Sequence, residues 1–197
     1  KISLLNSLMV VDGFLKRNDG SLLFDLNVKA DRFDETLIRA LQPAAKDRAV
    51  PEARQEPPAT LIPRGSIHLN ATDFTYNRFT WSPLEAEIKI KDDQINIRVD
   101  EAKLCGISTT GTLGFSPQGT SLRITPAATD ASIQETARCL WNRPVKAQAQ
   151  YDLSGEISLP PTRENPVQFL SGQMEMSSEN GKIEYASTLM KIFSVLN

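Results

Sequence analysis

LEAEIKIKDDQINIRVDEAKL, residues 84–104, is the stretch on which the fold turns. Leu84, Ala86, Ile88 and Ile90 alternate with Glu85, Glu87, Lys89 and Lys91. After Asp92-Asp93-Gln94, Ile95, Ile97 and Val99 alternate with Asn96, Arg98 and Asp100. A period of two puts each set on its own face of a strand. The stretch therefore predicts an antiparallel hairpin with one apolar and one charged face, closed by the polar turn between its two runs. Water disfavours the apolar face, so a second sheet, a helix or an apolar ligand has to cover it. Which of the three does so is the functional question.

Outward from the hairpin, the same alternation recurs. Residues 8–15 and 21–30 read as strands around Asn18-Asp19-Gly20, with Leu22, Phe24, Leu26 and Val28 on one face. Asp31 to Leu41 switches to helical spacing (Phe33, Leu37, Ile38, Leu41), with Asp34 and Glu35 in the first turn. Pro43, Pro51, Pro57, Pro58 and Pro63 then break every period. This is a linker or a mobile loop, after which the sheet is free to resume. Strand patterns return at 65–71, 77–81, 111–115 and 121–124. A helix is expected from Ala131 to Trp141, N-capped by Asp130. Alternation from Val145 to Leu159 leads to a helical turn at 166–170, a strand around Met174 and Met176, another at 181–185, and a closing helix at 186–196. The expected fold is mainly β: an elongated, curved antiparallel meander sheet, an open groove or half-barrel, with a few short lateral helices. The expected organisation is a strand-strand-helix block at 1–42, the Pro-rich linker at 43–63, and a β-module at 64–197.

The chemistry is chiefly one of absences. The 197 residues are 40% apolar and 23% charged, with a formal net charge of −2. No basic stripe exists to release counterions, which argues against nucleic acid as a partner. No apolar run approaches the length of a membrane-spanning helix. The single histidine, His68, points away from its apolar neighbours Ile67 and Leu69 and reads as a surface residue. There is no Cys–His pair, G-x-S-x-G elbow or HExxH. Gly106 to Thr112 lacks the Gly-Lys-Ser/Thr of a phosphate loop and precedes a strand, so it reads as strand and bend. Acidic residues alternate with bases along the strands, as on a solvated face and not in a carboxylate dyad. The expectation is therefore no catalytic residue, no metal, no cofactor and no enzyme. Cys105 and Cys139, 34 positions apart, fit no C-x-x-C pattern and are either a disulfide or two separate buried thiols. Asn70-Ala71-Thr72 fits a glycosylation sequon, relevant only to a secreted eukaryotic protein.

Several stretches carry a family resemblance. They are Glu101-Ala102-Lys103-Leu104-Cys105-Gly106-Ile107-Ser108, Gly111-Thr112-Leu113, Cys139-Leu140, Tyr151-Asp152-Leu153-Ser154-Gly155-Glu156-Ile157, Leu170-Ser171-Gly172, and Asn180-Gly181-Lys182-Ile183-Glu184-Tyr185. Together with the closing run Leu189 to Asn197, over roughly Gly65 to Asn197, they resemble the AsmA-like C-terminal region. The resemblance implies a bacterial envelope protein that projects into the periplasm from an inner-membrane anchor. The anchor and the rest of the long sheet are not in this chain, which is read as a fragment. That family is similar to bridge-like lipid transfer proteins, whose curved β-groove holds phospholipid tails. The implied partners are phospholipid or another acyl lipid, the inner membrane, and outer-membrane proteins. The implied groove lining is Leu84, Ala86, Ile88, Ile90, Ile95, Ile97, Val99, Leu113, Phe115 and Val145. An oxidising periplasm further implies a Cys105–Cys139 disulfide. Two alternatives stand beside the groove: the apolar face packs against helices and a second sheet, or the module pairs through its sheet edges with envelope proteins and conducts no lipid.

Overall fold

The computed structural model describes residues 2–4, 7–18, 20–34, 62–142, 147–163, 165, 168–178 and 182–183. Alternating apolar residues become strands in chain order: β1 (Ile2–Leu4), β2 (Ser7–Asn18), β3 (Ser21–Asp34), β4 (Ile62–Tyr76), β5 (Phe79–Trp81), β6 (Leu84–Lys91), β7 (Gln94–Leu104), β8 (Ile107–Ser116) and β9 (Gly119–Ser132). A helix, α1 (Ile133–Trp141), follows, then β10 (Ala147–Gln148), β11 (Gln150–Thr162), β12 (Ser171–Ser177) and β13 (Lys182–Ile183). The strands build one open sheet in the order β1-β2-β3-β4-β6-β7-β8-β9-β11-β12, with β5 hydrogen-bonded to β4. The fold is thus mainly β. The decisive stretch is the hairpin β6–β7, whose turn is Asp92-Asp93; Gln94 already belongs to β7, paired with Lys91. β10 and β13 pair antiparallel as a separate two-stranded sheet, and Ser178, just after β12, donates to the Gln150 carbonyl at 2.7 Å.

Neighbouring strands are antiparallel with one exception. β3 and β4 run parallel over a ladder from Ser21↔Ile62 to Asp34↔Thr75. A parallel neighbour requires the chain to return to the starting rim, which a hairpin turn cannot do. The meander is interrupted there, and the strands on either side of residues 35–61 share one sheet. Pro63 sits within β4 opposite Leu22 of β3, beyond the stretch of β4 that pairs with β6. Its missing N–H costs no ladder bond on the β6 side.

Two further expectations are corrected. Asp31–Asp34 is the end of strand β3, not the start of a helix. Helical spacing of Phe33 with later residues was outweighed by pairing along β4, where Phe33 meets Phe74. The second helix begins at Ile133, and its N-cap is Ser132, whose hydroxyl accepts from the Glu135 N–H; Asp130 lies in β9 at φ 51°. The remainder of the expected helix at 31–41, the Pro-rich stretch 43–61 and the closing helix at 186–196 lie outside the described residues. At 166–170, Pro166 and Val167 also lie outside them. Among the described residues α1 is the one α-helix, and none is long and apolar enough to cross a membrane.

Three bulges break the regular register. On β7, Asp100 is the extra residue relative to both neighbours. On β9, Thr129 and Asp130 oppose Asp152, whose carboxylate accepts from the Asp130 N–H at 2.8 Å. On β11, Pro160 and Pro161 form the third, where a residue without a ladder N–H is tolerated. The first two lie at the rim that carries α1, and a bulge bends its strand and raises its twist. Among the described residues fully buried apolar side chains are few, and half of them are alanines. A cluster of Ala128, Ile133, Tyr151 and Leu153 lies under α1, and a smaller one joins Met9 to Ala30.

Candidate functional site

Register carries the apolar positions of β6 and β7 across the sheet as continuous rows. One row runs Leu15, Phe24, Gly65, Ile90, Ile95, Phe115, Thr120. The next runs Gly13, Leu26, Ile67, Ile88, Ile97, Leu113, Leu122, Leu159, and a third Val11, Val28, Leu69, Ala86, Val99, Gly111, Ile124, Ile157. A fourth runs Met9, Ala30, Ala71, Leu84, Ala102, Thr109, Pro126. None of these positions carries a charge. Directly opposed residues of a ladder share a face, so a single apolar surface spans eight strands. At ~4.8 Å between strands, eight strands cover about 34 Å.

Of the expected groove residues, Leu84, Ala86, Ile88, Ile90, Ile95, Ile97, Val99, Leu113 and Phe115 all lie on this one face. Val145 lies outside the described residues. The sequence reading did not assign Leu15, Leu26, Ile67, Leu69, Leu122, Ile124, Ile157 and Leu159 to the surface. Their own alternation was the available signal, but register was needed to join them to the hairpin. Gly65 has a packing reason. A side chain there would meet the Phe24 carbonyl oxygen and come within 2.7 Å of the Phe24 ring, which lies over the glycine.

The face is only partly shielded. Ile95 is 38% exposed and Phe115, directly opposite, 40%; Ile88, Ile90, Ile97 and Leu113 are half-buried. A second sheet or helix packed on these positions would bury them almost completely, so among the described residues they are not interlocked from two walls. They shield one another within the row and leave their tips open.

The opposite face is mainly polar and self-satisfied, with Leu8 and Phe14 of β2 exposed on it. His68, Glu87 and Arg98 are in cross-strand register. Glu87, only 8% exposed, lies 3.1 Å from Lys89 Nζ, 3.2 Å from Arg98 Nη1 and 3.9 Å from His68 Nε2. Arg98 also donates from Nε to Asp100 at 2.8 Å. That hydrogen bond first, then the charges of Asp100 and Glu87, hold its guanidinium pKa above the usual value. Asn27 donates to Asp12, Asn70 to Glu85, and Arg64 pairs with Asp92. His68 is accordingly a half-exposed member of a charge ladder. Among the described residues no three His, Cys, Asp or Glu side chains gather as a metal site.

One rim of the sheet is clasped. Cys105, at the β7–β8 turn, is disulfide-bonded to Cys139 of α1, with Cα atoms 5.6 Å apart. Thr136 donates to the Cys105 carbonyl at 2.9 Å and accepts from the Tyr151 hydroxyl at 3.0 Å. From the β4–β5 turn, Arg78 donates to the Leu140 carbonyl at 3.0 Å, its guanidinium 4.8 Å over the Phe79 ring. Phe79, Trp81, Phe74 and Phe33 continue as a chain of ring contacts with centroids 5.6–6.3 Å apart. A polar concavity of about 780 Å³ lies beside the disulfide, lined among others by Lys103, Asp130, Glu135 and Arg138. None of the expected groove residues lines it.

Comparison of the chain with known protein families, with curated proteins and with solved structures finds no match in any of the three.

Proposed function

We propose that the apolar sheet face holds the acyl chains of phospholipid or another acyl lipid, in an AsmA-like periplasmic module that carries lipid between the inner and outer membranes. The module belongs to a bacterial envelope protein anchored in the inner membrane. The observation that carries this reading is the set of uncharged cross-strand rows, three of which keep most of their side chains partly exposed. A hydrocarbon chain in water costs about 0.8 kcal/mol per methylene, and a surface of Ile, Leu, Val and Phe offsets that cost without polar specificity. Backbone hydrogen bonds are consumed within the sheet, so a guest on its face has no N–H or C=O to satisfy. That suits hydrocarbon. The charged opposite face keeps the other side wetted. Lipid conduction needs no nucleophile, general base, metal or cofactor. The direct test is native mass spectrometry of protein purified from cells without detergent. Phospholipid adducts are expected, and protein that is free of lipid in every preparation refutes the reading.

The second reading, an assembly module, draws on the edge strand β12. All seven of its residues are exposed, and Met174 and Met176 continue the apolar face to the edge. Among the described residues no strand pairs with its outer side. Such an edge can accept a strand from an envelope protein. Crosslinks from β12 to a protein in cells, with no lipid on the purified module, favour this reading over conduction.

A further inference from the structure

The two rims of the apolar face are not equivalent. Along β7, exposure falls from 38% at Ile95 to 5% at Ala102; along β2 it falls from 65% at Leu15 to 7% at Met9. Ala71, beside Leu84 in the fourth row, is wholly buried. Phe24 and Leu159 are buried at the other end, Phe24 over Gly65. The exposed large apolar positions of the first row are therefore Leu15, Ile95 and Phe115; the last two face each other, with the turns Asp92-Asp93 and Pro117-Gln118 just beyond. The closed end coincides with the bulges at Asp100 and Thr129-Asp130 and with the clasp: the Cys105–Cys139 disulfide, the Thr136 hydroxyl relay and the Arg78–Leu140 hydrogen bond.

We infer that an acyl chain crosses onto and off this face over the rim of the β6–β7 and β8–β9 turns and not over the clasped rim, with the opposed pair Ile95 and Phe115 as its first apolar contact. The inference rests on the acyl-chain reading above and adds its route. At the clasped rim no position of the fourth row is exposed, and the exposed aromatics there, Tyr76 and Trp141, lie outside the rows. A guest arriving there meets α1, which the disulfide and the Thr136 and Arg78 hydrogen bonds hold in place. At the turn rim, two side chains more than a third exposed offer immediate contact, and the half-buried second row, Ile97 and Leu113, lies directly behind them.

The test is stopped-flow binding of a fatty acid that fluoresces in apolar surroundings, with association and dissociation rates separated by its concentration dependence. Four variants are compared with the unmodified protein, each checked for sheet content by circular dichroism: Phe115→Asp at the turn rim, Val99→Asp two rows deeper, and Arg78→Ala and Cys105→Ser/Cys139→Ser at the clasp. Arg78→Ala keeps the clasp testable if the cysteine variant fails to fold. Phe115→Asp is expected to slow association tenfold or more, Val99→Asp to speed dissociation with association within twofold, and both clasp variants to leave association within twofold. Faster association on loosening the clasp overturns the route and leaves the acyl reading standing. So does equal slowing by Phe115→Asp and Val99→Asp, or no slowing by Phe115→Asp. If the unmodified protein gives no signal with any acyl probe, the acyl reading falls and the route falls with it.

Discussion

Ile88→Asp places a carboxylate at the centre of the apolar face, between Ile67 of β4 and Ile97 of β7. The strand that Ile88 occupies spans ~4.8 Å of the face, enough for about four methylenes of a chain lying along the row. At about 0.8 kcal/mol per methylene, stripping apolar contact from that segment costs roughly 3 kcal/mol, or about two orders of magnitude in affinity. Desolvating the new carboxylate adds to the loss. The matched control is Asn96→Asp, which adds the same charge on the opposite face, where Asn96 pairs with Lys89. Fluorescence titration with an acyl probe should show Kd raised about a hundredfold for Ile88→Asp and unchanged within twofold for Asn96→Asp. Because Ile88 is half-buried, the fold should survive with about 1–2 kcal/mol less stability, a drop of a few degrees in Tm for a chain of this size. If Ile88→Asp keeps its sheet spectrum and binds acyl chains as tightly as the unmodified protein, the apolar face is not the binding surface.

Further perturbations probe the scaffold. Cys105→Ser/Cys139→Ser opens a loop of 34 residues, and the loop-entropy relation puts the cost at roughly 3–4 kcal/mol. Urea unfolding should show this loss, and a reductant should reproduce it in the unmodified protein but have no effect on the variant. Ala71→Leu inserts three carbons where no surface is exposed. Overpacking of this kind costs about 1–3 kcal/mol, to be read as a lowered unfolding midpoint, and a midpoint within error of the unmodified protein shows that the site has room. Gly65→Ala puts a Cβ against the Phe24 carbonyl and within 2.7 Å of the Phe24 ring. A comparable loss is expected, with faster hydrogen exchange localised to the β3–β4 ladder; uniform exchange across the sheet contradicts the packing role given to that glycine.

The alternation of Leu84 to Val99 was enough to specify strands, a hairpin and the separation of oily from charged residues, because side-chain direction in a strand depends only on odd or even position. It placed seven of the ten expected groove residues on one face; Leu113 and Phe115 join that face only through the pairing of β7 with β8, and Val145 lies outside the described residues. The alternation around Ile67 and Leu69 likewise put His68 on the charged side, where it meets Glu87. What local pattern could not supply was register. Joining Leu15 and Phe24 to Ile90 and Phe115 depends on how each strand slides against the next, and one of those pairings, β3 with β4, is parallel and links residues about 40 positions apart. Phe33 shows the same limit: its helical spacing is real in the sequence, yet pairing along β4 set its conformation. The difference in exposure between the two rims is likewise tertiary. Ala102 and Ile95 sit on the same strand and the same face although they are an odd number of positions apart, because the bulge at Asp100 shifts the period between them. One is buried and the other open because bulges, α1 and a disulfide from a helix 34 residues further on close one end. Periodicity tells a side chain which way to point; only the assembled sheet decides what it meets there.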